Sequence, residues 1–149
     1  MSAIFAKRLQ RELRELQASP PVGIAVETVN DSLKQWSIRI DGPEETLYAG
    51  EQFHLQFRFP EAYPLESPEV IFLDPVPVHP HVYSNGHICL SILYDQWSPA
   101  LTIQSVCLSI QSMLSSCTKK QPPPDNQRYL MTAHRSPKDT AWAFHDDKV

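Results

Sequence analysis

One cysteine in this sequence stands close to several histidines, and this group is the first candidate for chemistry. Cys89 follows soon after three histidines: His79, His81 and His87. A cysteine acts as a nucleophile or carrier in its thiolate form, which requires access and suitable neighbours. Cys107 and Cys117 instead fall within and at the end of an apolar helical pattern, where cysteine serves as a small buried hydrophobe. We therefore expect Cys89 to be the reactive thiol and to be exposed in a loop.

The same side chains allow a different interpretation, a zinc site. Zinc binds imidazole nitrogen and thiolate sulfur, and the three histidines with Cys89 offer four such ligands. Their spacing matches none of the standard zinc patterns. The prediction is therefore that the protein holds no metal at these residues.

Composition excludes several classes of protein. The 149 residues include 13 basic and 17 acidic side chains, so a nucleic-acid partner is not expected. The three cysteines form an odd set without a Cys-x-x-Cys pair, which suits reduced thiols in the cytoplasm or nucleus. Apolar runs are too short to cross a bilayer, and the first residues hold no apolar signal region. We expect one soluble domain over residues 1–149, with no membrane partner.

Apolar periodicity predicts the elements that must position Cys89. Residues 5–16 carry an apolar stripe at helical spacing opposite a basic side, and Pro20-Pro21 follows as a stop signal. Strand-like patterns come next in four segments: 24–29, 36–40, 53–59 and 70–73. Turn residues between these segments favour an antiparallel meander.

The rest of the chain is predicted as a loop, a helix and a weaker region. Residues 75–98 show neither period, and we expect them to form an ordered functional loop around Cys89. A second helix is predicted over residues 103–117. Short helices are indicated at 129–134 and 141–144, separated by Pro137.

Two motifs carry a resemblance to a known family. The run from His79 to Leu90 reads His-Pro-His-Val-Tyr-Ser-Asn-Gly-His-Ile-Cys-Leu, and Trp-Ser-Pro-Ala ends at Ala100. This resembles the ubiquitin-conjugating enzymes, whose pattern is His-Pro-Asn, then Asn-Gly-x-Ile-Cys-Leu, then Trp-Ser-Pro-Ala. The W-type enzymes and their plant relatives share the His-Pro-His variant and a C-terminal His-Asp-Asp, here residues 145–147.

This resemblance implies the fold and the activity. The fold class is α+β, with an N-terminal helix, a four-stranded antiparallel meander, an active-site loop, a central helix and a short irregular C-terminal helical region. Residues 1–149 would form a single catalytic domain in which 122–149 diverges from the family. Cys89 would accept ubiquitin as a thioester and pass it to an amine of a protein substrate. No cofactor is expected, because a separate activating enzyme uses the ATP.

The histidine pair departs from the family motif. Most members carry an asparagine after His-Pro, which is assigned to oxyanion stabilisation or to holding the loop; His81 stands there in this chain. An imidazole nitrogen can donate a hydrogen bond, so His81 is open to either role. His79 is interpreted as a loop anchor.

A second departure concerns the substrate amine. Members that modify lysine often carry acidic residues near the site, and Ser91 and Ser116 stand at the matching positions. Near pH 7.4, an α-amine of pKa about 7.7 is about one-third neutral, whereas lysine is about one-thousandth neutral. A site without the acids should therefore favour flexible protein N-termini. Lysine transfer, another ubiquitin-like modifier and a non-catalytic ubiquitin-binding module are the alternatives, and Cys89 argues against the last.

The resemblance also implies contact residues. RING or U-box ligases, and the activating enzyme on the first helix, would contact six residues: Lys7, Arg8, Arg11, Leu65, Pro99 and Ala100. Substrate would contact three residues near the C-terminus: Trp142, Asp146 and Asp147. Simple packing of the aromatic residues onto the core is the alternative for Trp142.

Overall fold

The computed structural model describes residues 3–146. Helix α1 (Ala3–Ala18) buries Phe5, Leu9 and Leu16, the apolar stripe of the sequence, and ends before Pro20. None of the helices within residues 3–146 has the length and apolar character that crossing a bilayer would require.

Four strands follow α1 and confirm the predicted meander. They are β1 (Ile24–Val29), β2 (Gln35–Asp41), β3 (Gln52–Arg58) and β4 (Glu69–Phe72), and they pair antiparallel in the order β1-β2-β3-β4. Strand β3 shows the expected alternation, because Phe53, Leu55 and Phe57 are buried while the residues between them are not. Side chains of period two thus give the sheet one core face.

Helix α2 (Ile103–Ser115) shares one hydrophobic core with α1 and the sheet. Its first turn is closed by a capping box, in which Thr102 accepts from the backbone of Ser105 and the Ser105 side chain accepts from the backbone of Thr102. The helix lies directly after the long loop that carries Cys89, so it fixes the far end of that loop.

The C-terminal region differs from the prediction. A short helix, α3 (Asn126–Thr132), replaces the helix expected at 129–134. Residues 141–144 belong to no helix or strand, so the helix predicted there is wrong. Exposure alternates along them, with Trp142 and Phe144 half-buried and Ala141 and Ala143 exposed. An isolated turn of four residues has little stability of its own, and the irregular chain instead stacks both aromatic rings on Tyr94.

Candidate functional site

Cys89 is held in an ordered loop between β4 and α2. Its backbone N–H donates to the carbonyl of His81 at 2.8 Å. The hydroxyl of Tyr94 donates to the carbonyl of the preceding residue, Ile88, at 2.6 Å. Gly86 permits the tight approach to β4, because a Cβ there would lie 2.1 Å from the carbonyl oxygen of Phe72 and φ is +93°.

Helix α3 and the residue before it hold the same loop through hydrogen bonds and ring stacking. The Asn126 side chain accepts from the backbone of Ser84 at 3.0 Å and donates to its hydroxyl at 3.2 Å. The hydroxyl of Tyr83 donates to Asp125 at 3.0 Å, and its ring stacks on Tyr129 at 3.8 Å. Sequence reasoning missed these α3 residues. Their one local signal is the proline run that precedes them, which marks a connection but not its contacts.

Residues 140–146, here called the C-terminal strap, lie across the active-site loop. The ring of Trp142 stacks between Tyr94, at 4.9 Å, and Tyr129, at 5.7 Å. Its indole N–H donates to the carbonyl of Pro137 at 2.9 Å. Phe144 adds a second stacked contact on Tyr94 at 5.8 Å. Trp142 thus packs against the loop and α3, and this contact anchors the strap.

The strap covers the thiol of Cys89. Only 5% of the residue is exposed, and its Sγ lies 3.9 Å from the carbonyl oxygen of Ala143. Burial, and then the charges of Asp146 and Asp125, raise the pKa of the thiol to about 12. The expectation of an exposed thiol is therefore wrong for this conformation, because a segment distant in sequence folds over the loop. Cys89 still borders a cavity of about 390 Å³, whereas Cys107 and Cys117 are buried in the core.

His79 anchors the loop to α2 as a neutral imidazole. Its Nε2 donates to the carbonyl of Met113 at 3.0 Å, and its Nδ1 accepts from the backbone N–H of His81 at 2.9 Å. Burial lowers the pKa of His79 to about 4. Both ring nitrogens are therefore used in holding the loop, which agrees with the predicted anchoring role.

His81 lies beneath the strap rather than at an open surface. The residue is buried, and its ring meets His79 at 5.6 Å and His145 of the strap at 4.9 Å, both edge to face. Its part in oxyanion stabilisation stays a prediction. The ring packs between His79, which anchors the loop, and His145 of the strap.

The zinc interpretation finds no support in the geometry. His79 uses both nitrogens within the protein, and Nδ1 of His87 is bonded to the hydroxyl of Tyr129 at 2.7 Å. Within residues 3–146, no three histidine, cysteine or acidic side chains form a group that could hold a metal ion.

The carboxylate of Asp146 is bonded to Ser91, one of the two serines that stand where lysine-directed members carry acids. Ser91 donates to Oδ2 of Asp146 twice, from its hydroxyl at 2.6 Å and from its backbone N–H at 3.2 Å. Ser116 and Asp146 line one cavity of about 220 Å³, together with His81. Neither serine position carries an acid itself, and the strap brings the carboxylate of Asp146 to Ser91 across 55 residues of sequence. Asp147, the second predicted acid, lies outside the described residues.

Arg8 joins two segments of the predicted partner surface, α1 and the residues before α2, through an ion pair and hydrogen bonds. Arg8 is 14% exposed and donates through Nε to Glu12, which is 3% exposed, at 2.9 Å. Its Nη2 also donates to the carbonyls of Pro99 at 3.1 Å and Leu101 at 2.8 Å. The guanidinium therefore ties α1 to the loop before α2, so Arg8 supports the surface from within.

The other predicted contact residues of this surface are exposed. Leu65 is 77% exposed, and four further residues share that exposed character: Lys7, Arg11, Pro99 and Ala100. The Trp97 indole donates to the carbonyl of Pro64 at 2.8 Å, which fixes the loop of Leu65 beside the Pro99 segment. A cationic helix face and an apolar side chain thus lie at neighbouring segments.

Both the sequence and the fold are similar to those of known proteins. A family model described as ubiquitin-conjugating enzyme matches residues 8–144. The probable ubiquitin-conjugating enzyme E2 W of Dictyostelium discoideum is 57% identical over 150 residues, covering 100% of each chain. The probable ubiquitin-conjugating enzyme E2 16 of Arabidopsis thaliana is 58% identical over 151 residues, covering 100% of this chain and 93% of that relative. The crystal structure of the ubiquitin-conjugating enzyme E2 UbcA1 from Agrocybe aegerita matches with a TM-score of 0.87 at 48% identity, covering 92% of this chain and 100% of that one.

Proposed function

Since the chain belongs to the ubiquitin-conjugating enzymes, with W-type relatives, we propose that Cys89 carries ubiquitin as a thioester and delivers it to protein N-termini. Two observations support Cys89: it borders a cavity, and an ordered loop holds it beside the His79 anchor. Cys107 lies in the core of α2, where no protein partner reaches it.

The transfer step needs a neutral amine. The amine nitrogen attacks the carbonyl carbon of the thioester, and a carbon–nitrogen bond forms as the carbon–sulfur bond breaks. The electron pair of the broken bond stays on Cys89, and the nitrogen loses one proton to solvent. An ammonium ion has no lone pair for this attack, so the rate of transfer is proportional to the fraction of the amine that is neutral.

One observation carries the choice of amine: two carboxylates lie at the loop of Cys89, since Asp146 is bonded to Ser91 and Asp125 lines the same cavity as Cys89. Asp146 and Asp125 both raise the pKa of the thiol, after burial itself. The same negative charges stabilise an ammonium ion, so they raise the pKa of either kind of entering amine. The initial difference between the amines therefore remains, and near pH 7.4 it favours the α-amine by about 300-fold in neutral fraction.

This reason differs from the one that the sequence suggested. There the α-amine was favoured because Ser91 and Ser116 stand in place of acids; here it is favoured because the acids present do not deprotonate a lysine before it attacks. A lysine of pKa about 10.4 enters this site charged and stays charged. The more basic amine is also the better nucleophile once neutral, so the measured preference will be smaller than the difference in neutral fraction.

A discharge experiment tests the proposal. The protein is charged with activating enzyme, ATP and ubiquitin, and a thiol-sensitive adduct is expected that Cys89→Ala abolishes. The charged enzyme is then mixed with either of two matched peptides: one has a free N-terminus and no lysine, and the other is N-acetylated with one lysine. Faster transfer to the free N-terminus is expected at pH 7.4. Equal rates would instead support the lysine-directed alternative.

The exposed surface around Leu65 is proposed as the contact for RING or U-box ligases and, on α1, for the activating enzyme. Its support is the meeting of three segments that Arg8 and Trp97 hold together. Lys7 and Arg11 add positive charge at the exposed side of α1. An acidic or mixed partner surface with an apolar pocket for Leu65 would fit this arrangement.

A further inference from the structure

One oxygen of Asp146 is left without a donor in the strap contact. Oδ2 accepts both hydrogen bonds from Ser91, whereas Oδ1 is buried and has no hydrogen-bond partner among residues 3–146. A buried carboxylate oxygen without a donor costs free energy, and such groups in proteins mark places where a further donor binds. Asp146 therefore has capacity for one more N–H or O–H group.

The space beside Asp146 suits a small cation. The cavity of about 220 Å³ is lined by the carboxylate, by four polar side chains and by two apolar ones: Ser109, Ser112, Ser116 and His81, with Leu90 and Met113. Serine hydroxyls can accept hydrogen bonds from an ammonium group, and the carboxylate complements its charge. Asp146 lies near enough to Cys89 for its charge to act on the thiol. The same cavity is lined by Leu90, the neighbour of Cys89 in the chain, and Asp146 is bonded to Ser91, two residues after Cys89. A primary amine held there therefore lies at the loop that carries the thiol.

We propose that Asp146 positions the incoming amine, so that the strap brings to the thioester the carboxylate that Ser91 and Ser116 lack. The proposal rests on the proposed function, because it assigns the amine site of that transfer. The substrate group is a primary amine that arrives as an ammonium ion and gives one proton to water before it attacks. Oδ2 stays on Ser91 and Oδ1 accepts from the amine nitrogen.

The chemistry of this role follows the charge on nitrogen. A neutral amine gains positive charge as its bond to the carbonyl carbon forms, and Oδ1 stabilises that charge through a hydrogen bond. The nitrogen then gives one proton to the carboxylate, which passes it to water. The sulfur of Cys89 keeps the electron pair of its broken bond to carbon.

When ubiquitin is attached to Cys89, the strap must move at Ala143 while Asp146 keeps its hydrogen bonds to Ser91. The carbonyl of Ala143 lies 3.9 Å from Sγ, where the acyl group of a thioester would sit. Asp146 is three residues further on, and three extended residues span about 10 Å. The backbone at Ala143 can therefore swing away from sulfur while Ser91 keeps its hold on Asp146.

The first test compares Asp146→Asn with a matched control, Asp139→Asn, which removes the same charge from an exposed residue near the strap. Each protein is charged in advance, and discharge onto a lysine-free peptide is followed at several peptide concentrations. Asp146→Asn is expected to raise the KM for peptide about tenfold at pH 7, since one charge-assisted hydrogen bond is lost. The increase should shrink above pH 8, where the amine is neutral before binding. Asp146→Glu should restore part of the affinity, and Asp139→Asn should behave as the parent.

The second test uses the repulsion between two carboxylates. Ser91→Asp places an acid where Oδ2 of Asp146 now binds, so it expels the strap and supplies a carboxylate itself. Adding Asp146→Asn to Ser91→Asp should therefore change the KM for peptide little. An undiminished tenfold effect in that background would contradict the proposal.

Two other outcomes would overturn it. If Asp146→Asn leaves the KM unchanged but makes Cys89 more reactive, Asp146 is an anchor of the strap alone. If the loss is the same at pH 7 and pH 9, it does not depend on an ammonium ion. Failure of the proposed function is separate, because it appears as equal transfer to α-amine and lysine by the unaltered protein.

Discussion

Removal of the strap should make the thiol of Cys89 far more reactive. A chain that ends at Thr140 loses the stacking of Trp142, the Ala143 carbonyl near Sγ and the charge of Asp146, yet it keeps the Tyr129–Thr140 hydrogen bond. The pKa of the thiol, raised from 9.0 to about 12 by burial and these charges, should then fall toward its ordinary value. Thiolate, the reactive form, becomes more abundant near neutral pH.

The size of the effect follows from the change in pKa. At pH 8, a thiol of pKa about 12 is about 1 part in 10,000 thiolate, and one of pKa about 9 is about 1 part in 10, a difference of about 1,000-fold. The more basic thiolate is intrinsically more nucleophilic, with a Brønsted slope of about 0.4–0.5, which offsets about 16- to 32-fold. The net acceleration is about 30- to 60-fold if the pKa returns fully, and steric access adds to it.

Exchange with an aromatic disulfide measures this rate. The initial rate at pH 8 is compared between the intact and truncated chains, with Cys89→Ala in each to give the background. Cys107 serves as an internal control, because it is fully buried in α2 and reacts when the fold is lost. Equal rates for Cys89 in the two chains, with Cys107 protected in both, would refute the covering role of the strap.

Three further predictions concern stability and partner binding. Because burial lowers the pKa of His79 to about 4, below about 6.5 in the unfolded chain, its contribution is complete above pH 6.5 and is lost as pH falls toward 4. In urea unfolding, the parent protein should be about 2 kcal/mol less stable at pH 5 than at pH 7 because of His79. His79→Gln should lose this part of the pH dependence of stability. A variant with the same pH dependence as the parent would contradict the prediction. Glu12→Gln should lower the free energy of unfolding by about 3 kcal/mol in the same assay, because buried Glu12 accepts hydrogen bonds from Tyr63 at 2.6 Å and Ile103 at 2.7 Å. The control Glu15→Gln, at an exposed residue, should change it by less than about 0.5 kcal/mol. Leu65→Ala should leave unstimulated discharge intact and reduce ligase-stimulated discharge; equal stimulation in both proteins would remove Leu65 from the partner surface.

Much of the fold was predictable because its signals are local. The stripe of α1 and the alternation of β3 follow from burying one face of a regular element, and both appear in the structure within a few residues of the predicted bounds. The loop around Cys89 was predictable for a related reason. Turn chemistry at Gly86 and apolar neighbours of the cysteine are visible in a short stretch of sequence.

The parts that were mispredicted depend on contacts between distant segments. Arg8 reads as an exposed cation of a basic helix face, yet the carbonyls of Pro99 and Leu101 turn its guanidinium inward. Residues 141–144 read as a short helix, yet the chain there is irregular and Trp142 stacks on the rings of Tyr94 and Tyr129. Neither contact can be seen in the periodicity of the sequence, because the contacting residues are far apart in the chain.

The sequence by itself determined the scaffold and singled out Cys89 as the candidate thiol, since periodicity and the Cys89 motif are properties of neighbouring residues. Tertiary structure alone decided the state of that thiol and the charge around it. The strap buries Cys89 and sets the carboxylate of Asp146 on Ser91 through stacking surfaces that exist only after the loop and α3 have packed. Access to the thiol and the pKa of groups beside it are therefore collective properties of three segments.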